Sequence, residues 1–327
     1  MKLCLFSVNN SFPYTEQIGA IFEDKVVDLA AAYRSVLRAE KIVDINRVEA
    51  LSESLIPRCM TAFIEGGEIT MDAAKRAYTF AQQISQTEFE KHVYELVDVK
   101  LHAPLKKPPT VRDFLSFELH YQNSLGGNVP EVWYERPIYY KTVTSTIIGP
   151  EEICQWPSYS NVMDYELEIA CVVGKRGIDL TTEEAEKHIF GYMIYNDFSA
   201  RDTQLREMEG RLGPAKGKDF CTAMGPYLVT ADEIENVYNL RMTAKINGEI
   251  WSDGNTSTMY RSFADIISYV SQSETLVPGD ILGSGTVGNG CGLELGKFLN
   301  DGDVIELEIE RLGILRNQVK VKEGVLA

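Results

Sequence analysis

The apolar positions of the first hundred residues change period twice. Residues 1–8 and 17–29 carry short apolar runs and predict strands, the second region as a hairpin in which Ile18-Gly19-Ala20-Ile21-Phe22 returns through Glu23-Asp24-Lys25 to Val26-Val27. Helical spacing follows at Ala31, Tyr33, Val36 and Leu37, and again at Ala73, Ala74, Ala77, Phe80 and Ile84. Pro104, Pro108 and Pro109 then forbid helix and interrupt any strand ladder, which predicts a small N-terminal domain over 1–100 and a larger one over 101–327. The larger part is strand-rich with short helices. Thr181-Thr182-Glu183-Glu184 fits a capping box ahead of a helix over Ala185 to Ile189, with Gly191 as its breaker. Tyr192 to Tyr195 predicts a strand ending at Asn196-Asp197, and a helix from Ser199 to about Glu209 would set Arg201 and Gln204 one turn apart.

Charge narrows the partners. Acidic residues outnumber basic ones 48 to 32, giving −16, which disfavours nucleic acid and anionic membrane surfaces. An apolar content of 44% suits a globular protein with a large core. The six cysteines form no C-x-x-C pair and read as buried thiols of a reducing compartment. The N-terminal apolar run is too short for a signal peptide, and no run approaches 18 residues, so a cytoplasmic location is expected.

The chemistry concentrates in Asp164 to Gly174. As a strand it puts Tyr165, Leu167, Ile169, Cys171 and Val173 on one face and Glu166, Glu168, Ala170 and Val172 on the other. Two adjacent carboxylates on an apolar strand call for water or a hard divalent cation. The alternation in Ile305-Glu306-Leu307-Glu308-Ile309-Glu310 is the same and needs only a solvated face. Asp197 stands at a strand end, as a ligand or as a helix cap; His120 and Lys218 stand in loops or short helices, as reactive groups or as surface side chains. His92, His102 and His188 read as structural. Gly283-Ser284-Gly285-Thr286-Val287-Gly288 satisfies a dinucleotide-loop pattern, but Asn289-Gly290-Cys291-Gly292 follows in place of a helix, so that reading is declined.

Taken in order, these segments resemble the fumarylacetoacetate hydrolase family over most of residues 101–327. Tyr165-Glu166-Leu167-Glu168 resembles the family's paired metal glutamates, Asn196-Asp197-Phe198-Ser199-Ala200-Arg201-Asp202 its third acidic ligand with the helix beyond, and Lys218, Thr222 and Gly225-Pro226 the segment with its lysine. The match continues through Asn247-Gly248, Pro278-Gly279-Asp280, Gly285-Thr286, Asp301-Gly302-Asp303 and Gly313 to Asn317. Asp113-Phe114 with His120 resembles the fumarylacetoacetase branch, and Glu294 in Gly292-Leu293-Glu294-Leu295 resembles the glutamate that pairs with that histidine. Members with His-x-x-Glu in a mobile lid differ, since Asn123 holds that position here. Tyr139-Tyr140-Lys141-Thr142 matches the substrate-contacting segment only in part, and residues 124–137 match weakly.

The resemblance implies an α+β, mostly β fold, a rolled or sandwiched mixed sheet with short helices behind a small α/β N-terminal domain, and a homodimer. It implies that Asp113, Glu166, Glu168 and Asp197 hold Mg²⁺, with Ca²⁺ or Mn²⁺ as alternatives. His120, Glu294 and Lys218 would be catalytic, while Arg201, Gln204, Thr286 and Tyr140 would bind a diketo acid. The implied reaction is hydrolysis of a C–C bond in a 1,3-diketone acid such as fumarylacetoacetate or a related acylpyruvate. His120 oriented by Glu294 would activate water, and Lys218 and Gln204 would meet the oxyanion. An oxaloacetate decarboxylase-type lyase and a non-catalytic cation-binding protein are the alternatives.

Overall fold

A computed structural model of the chain describes residues 1–9, 15–41, 43–83 and 92–321. Side-chain alternation along one strand organises the interior. Every residue of Leu167–Val173 is buried, with Leu167, Ile169, Cys171 and Val173 in one apolar cluster and Ala170 and Val172 in another. A strand buried on both faces is a central strand. It lies antiparallel to Ile189–Asn196 and to Ile281–Gly283, with Glu168 opposite Tyr195 and Ala170 opposite Gly283.

Among the described residues the main sheet has twelve strands. Its path runs Val93–Glu95, Lys25–Asp28, Gln17–Phe22, Lys2–Val8, Thr222–Thr230, Ile189–Asn196, Leu167–Val173, Ile281–Gly283, Val111–Phe114 and Tyr139–Thr142, with Val99–His102 paired to Lys2–Val8 and Ile147–Ile148 to Thr222–Thr230 off that path. Strands from before and after residue 100 share it, because Lys2 and Leu3 pair with Val229 and Leu228. One face is covered by the helices Leu29–Glu40 and Gly67–Gln83, whose inward residues include Ala32, Val36, Ala74 and Ala77. Ile84, predicted to continue the second of these, lies outside the described residues.

The other face packs on a five-stranded sheet ordered Glu249–Asn255, Arg241–Ile246, Val304–Ile309, Gly313–Val321 and Ile153–Trp156. Met242, Ala244, Ile305, Leu307 and Leu315 join Leu167, Ile169 and Cys171 in the shared core. The architecture is α+β, two packed sheets with short helices. No helix among the described residues is long and apolar enough to cross a membrane.

Local signals translate with four adjustments. Thr181 does close a capping box with Glu184, but the helix is Thr182–Glu186 and Ile189 already begins a strand. Gly191 lies inside that strand, where a Cβ would sit 2.2 Å from the Val229 carbonyl oxygen, so its role is close strand approach and not helix termination. Ser199-Ala200 forms a two-residue strand, and the next helix is Arg201–Glu209. Five of the cysteines are buried, whereas Cys59 is exposed. Replacing Thr181 with Ala should lower stability by about 1 kcal/mol, read as a lower urea midpoint at unchanged slope; an unmoved midpoint would contradict the cap.

Candidate metal centre and proton-transfer site

Four carboxylates converge where strand ends meet. Asp113 is near the end of Val111–Phe114, in register with Gly283; Glu168 is on Leu167–Val173; Glu166 precedes it; and Asp197 follows Ile189–Asn196. All four are buried, and each offers an oxygen within 4.8 Å of those of the others. Glu168 accepts from the Gly285 N–H at 3.1 Å and the Thr286 hydroxyl at 3.1 Å. The glycine-rich loop declined as a dinucleotide site thus serves this cluster. Gly285 has φ +80°, and a Cβ there would meet the Phe114 carbonyl oxygen at 2.2 Å.

Two buried cations answer the carboxylates in part. Lys218 Nζ lies 2.5 Å from both Glu166 Oε2 and Asp197 Oδ2. Arg201 Nη2 lies 2.8 Å from Glu166 Oε1 and 2.7 Å from Asp164 Oδ2, and its Nη1 donates to Gln204 Oε1 at 2.9 Å. The Tyr140 hydroxyl donates to Asp197. Burial alone would raise Glu166, but Lys218 and Arg201 outweigh it and hold that carboxyl below the usual range. Burial lifts Asp197 to about 6 against the pull of Lys218. Asp113 and Glu168 are pushed well above the usual range, first by burial and then by neighbouring carboxylates.

Those upward shifts describe negative charge without enough positive charge. Oδ1 of Asp113 and Oδ1 of Asp197 are buried and receive no hydrogen bond from an N–H or hydroxyl donor among the described residues. An all-oxygen, four-carboxylate set with orphaned acceptors fits a hard divalent cation such as Mg²⁺, which would displace the protons that burial otherwise favours. Glu168→Gln should raise the Mg²⁺ concentration for half-maximal rate by about tenfold or more. It should cost the metal-free protein little, since the neutral amide is isosteric with the protonated carboxyl that burial favours there. An unchanged Mg²⁺ requirement would remove Glu168 from the ligand set.

A second group of residues stands beside the first. His120, on the helix Glu118–Leu125, has Nδ1 2.9 Å from Glu294 Oε2. Glu294 also accepts from Asn289 N at 2.8 Å, Gly290 N at 3.0 Å and Asn123 Nδ2 at 3.1 Å. Its carboxyl lies below the usual range, because the His120 hydrogen bond and these donors together outweigh burial, the largest single influence. Buried Asp164 fixes the short helix Gly292–Leu295 that carries Glu294: it accepts from Gly292 N at 2.7 Å and Leu293 N at 2.9 Å while bonding Arg201 Nε at 2.8 Å. In the sequence Asp164 is only the residue before a buried tyrosine, and nothing there marks its partners.

A cavity of about 250 Å³ joins the two groups. Asp113, His120, Tyr140, Glu166, Glu168, Arg201, Gln204, Lys218 and Thr286 line it; Asp197 lies behind Lys218 and Tyr140, and Glu294 behind His120. Leu125, Ile138, Leu205 and Met208 supply an apolar wall. The other histidines lie in separate hydrogen bonds, His92 with Ser35, His102 with Ser7 and His188 with the Glu184 carbonyl.

Buried convergent carboxylates, a paired lysine and a carboxylate-bound histidine around one cavity define an enzyme site of the cation-assisted kind. The family model described as fumarylacetoacetate (FAA) hydrolase C-terminal matches residues 110–320, and the chain belongs to that family. It is 34% identical over 266 residues to the human mitochondrial oxaloacetate tautomerase FAHD2A, covering 81% of this chain and 80% of the relative. It is 32% identical over 293 residues to oxaloacetate tautomerase YisK of Bacillus subtilis, covering 87% and 94%. The solved fumarylacetoacetate hydrolase of Exiguobacterium antarcticum superposes with a TM-score of 0.70 at 25% identity, over 98% of this chain and 100% of that one.

Proposed function

We propose that this protein is a Mg²⁺-dependent enzyme that moves a proton at the carbon next to the ketone of a small 2-oxo acid, converting keto and enol forms of an oxaloacetate-type substrate. The observation that carries this reading is the placement of two proton-handling groups, His120 and Lys218, on the wall of one cavity beside four buried carboxylates. The names of the two curated relatives support the substrate class. Held by Asp113, Glu166, Glu168 and Asp197, the cation would supply Lewis-acid polarisation of the 2-oxo group.

The chain's own residues divide the remaining work. His120 takes the proton from carbon 3 and delivers it to the 2-oxo oxygen to give the enol, or runs the same transfer in reverse, while Glu294 fixes the imidazole tautomer. The Lys218 ammonium faces the oxygen on which negative charge develops. Gln204 offers its amide N–H to the substrate's carboxylate or ketone, Thr286 holds Glu168 in place, and Arg201 holds Glu166 and Gln204. The apolar wall of Leu125, Ile138, Leu205 and Met208 limits water around the enolate.

The ionised, multiply bonded Glu294 behind His120 also favours a second reading, hydrolysis of an acylpyruvate or fumarylacetoacetate. There His120 would deprotonate water, the hydroxide would add to the carbonyl, and the C–C bond would break to release a carboxylic acid and an enolate that regains the proton. Two assays separate the readings: decay of oxaloacetate enol absorbance, and loss of fumarylacetoacetate or acetylpyruvate with acid products, each with Mg²⁺ or with EDTA. EDTA-sensitive enol decay without carbon dioxide release supports tautomerisation. Carbon dioxide release would move the assignment to a decarboxylase, and diketo acid cleavage alone to the hydrolase.

A further inference from the structure

Glu294 Oε2 receives more than the histidine needs. Cys291 Sγ lies 3.3 Å from that same oxygen, and His120 Nδ1 lies 2.9 Å from it. One imidazole nitrogen, one sulfur and one carboxylate oxygen therefore converge, each donor atom within 4.8 Å of the others. His120 and Cys291 are buried, and His120 lines the cavity. We propose that His120, Cys291 and Glu294 form a second cation site, distinct from the four-carboxylate cluster and selective for a thiophilic divalent ion of the zinc class, whose occupation inhibits the enzyme.

Donor chemistry separates the two sites. Mg²⁺ wants oxygen donors and leaves a thiolate unused, so the carboxylate cluster suits it and the mixed triad does not. Zinc accepts nitrogen, sulfur and oxygen together at about 2.0–2.3 Å in a tetrahedron, which places donors about 3.3–3.6 Å apart. The observed 2.9 and 3.3 Å need only open by a few tenths of an ångström. The protons now directed at Glu294 Oε2 occupy the space the ion would take. Binding is an exchange: the thiol proton leaves to solvent, the imidazole keeps its proton on Nε2 only, and the ion bridges Nδ1, Sγ and the carboxylate. Without such an ion the thiol donates to Glu294 and the triad stays in its hydrogen-bonded form. Ser124, whose Oγ is 3.3 Å from His120 Nδ1, lines the cavity with His120, so the triad can be reached from the cavity side.

The inhibitory consequence rests on the proton-transfer role proposed for His120, whereas the binding does not. The test therefore has two arms on the Mg²⁺-loaded enzyme. In the first, Cd²⁺ is titrated and the thiolate-to-metal charge-transfer absorbance is followed in wild type, Cys291→Ala and Cys291→Ser. One equivalent of absorbance present in wild type and missing from both variants is expected, with exposed Cys59 contributing equally to all three. In the second, Zn²⁺ inhibition is measured at saturating Mg²⁺ and again at tenfold more. The expected midpoint is indifferent to Mg²⁺ and rises at least about tenfold in the Cys291 variants, each referred to its own uninhibited rate. Retention of the Cd²⁺ band in both variants overturns the site. Inhibition that Mg²⁺ relieves in proportion, equally in wild type and variants, assigns zinc to the carboxylate cluster and also overturns it. A Cd²⁺ band lost with Cys291 in a protein inactive on every substrate would instead uphold the site and count against the proposed reaction.

Discussion

Lys218→Met is expected to lower turnover by about 10²- to 10³-fold while leaving the Mg²⁺ requirement no higher than in the wild type. The sign of each effect follows from where the ammonium sits. Its Nζ contacts Glu166 and Asp197 at 2.5 Å, inside the cluster that would hold the cation. Removing that positive charge makes the cluster more negative, which favours Mg²⁺, but deprives a developing enolate of a fixed cation. Stability should respond differently with and without metal. In the stripped protein the substitution breaks a buried ion pair, at a cost of about 3–5 kcal/mol; bound Mg²⁺ restores part of it. Thermal unfolding with EDTA and with Mg²⁺ reads that difference beside the kinetics. Turnover near that of the wild type, or a large rise in the Mg²⁺ needed, would contradict the placement of Lys218 on the substrate side of the cluster.

His120→Ala should reduce turnover by about 10²- to 10⁴-fold with an unchanged Mg²⁺ requirement, because it removes the general base and touches none of the four carboxylates. Its hydrogen bond to Glu294 is the feature at stake. Both substitutions spare the ligands, so steady-state rates against Mg²⁺ concentration separate loss of metal from loss of proton transfer. A variant that keeps its rate would leave the His120–Glu294 pair as a purely structural contact.

How far the site could be read in the chain depends on the range of each interaction. The two-residue period of a strand put Glu166 and Glu168 on one face, and both reach the cluster. The same period in Val304–Ile309 leaves Glu306 and Glu308 partly exposed, paired at long range with Arg316 and Lys245. Periodicity is identical in the two strands and each has a strand on either side; what differs is cover, since Leu167–Val173 has an apolar cluster on each face. Cover is a property of distant segments and cannot be read locally. Arg201 and Gln204 were legible because one helical turn joins them, and their hydrogen bond at 2.9 Å follows that spacing.

His120 and Glu294 are 174 residues apart, and family resemblance, not spacing, brought them together. Asp164 escaped notice because its partners Arg201, Gly292 and Leu293 come from two separate later segments. The capping signal at Thr181 marks a helix start and says nothing of its length, so the sequence extends that helix to Ile189 whereas it ends at Glu186. The apolar Ile189-Phe190 pair belongs to the strand that follows.

Proton transfer at carbon 3 of a 2-oxo acid, in a site built on four buried carboxylates, is read from deuterium exchange at carbon 3 of oxaloacetate in D₂O, followed by proton NMR with enzyme and Mg²⁺, against Mg²⁺ buffer alone and enzyme with EDTA. Exchange well above buffer is expected, abolished by EDTA and suppressed by both His120→Ala and Lys218→Met. Exchange no faster than in Mg²⁺ buffer, from protein shown by calorimetry to hold Mg²⁺, would contradict that transfer.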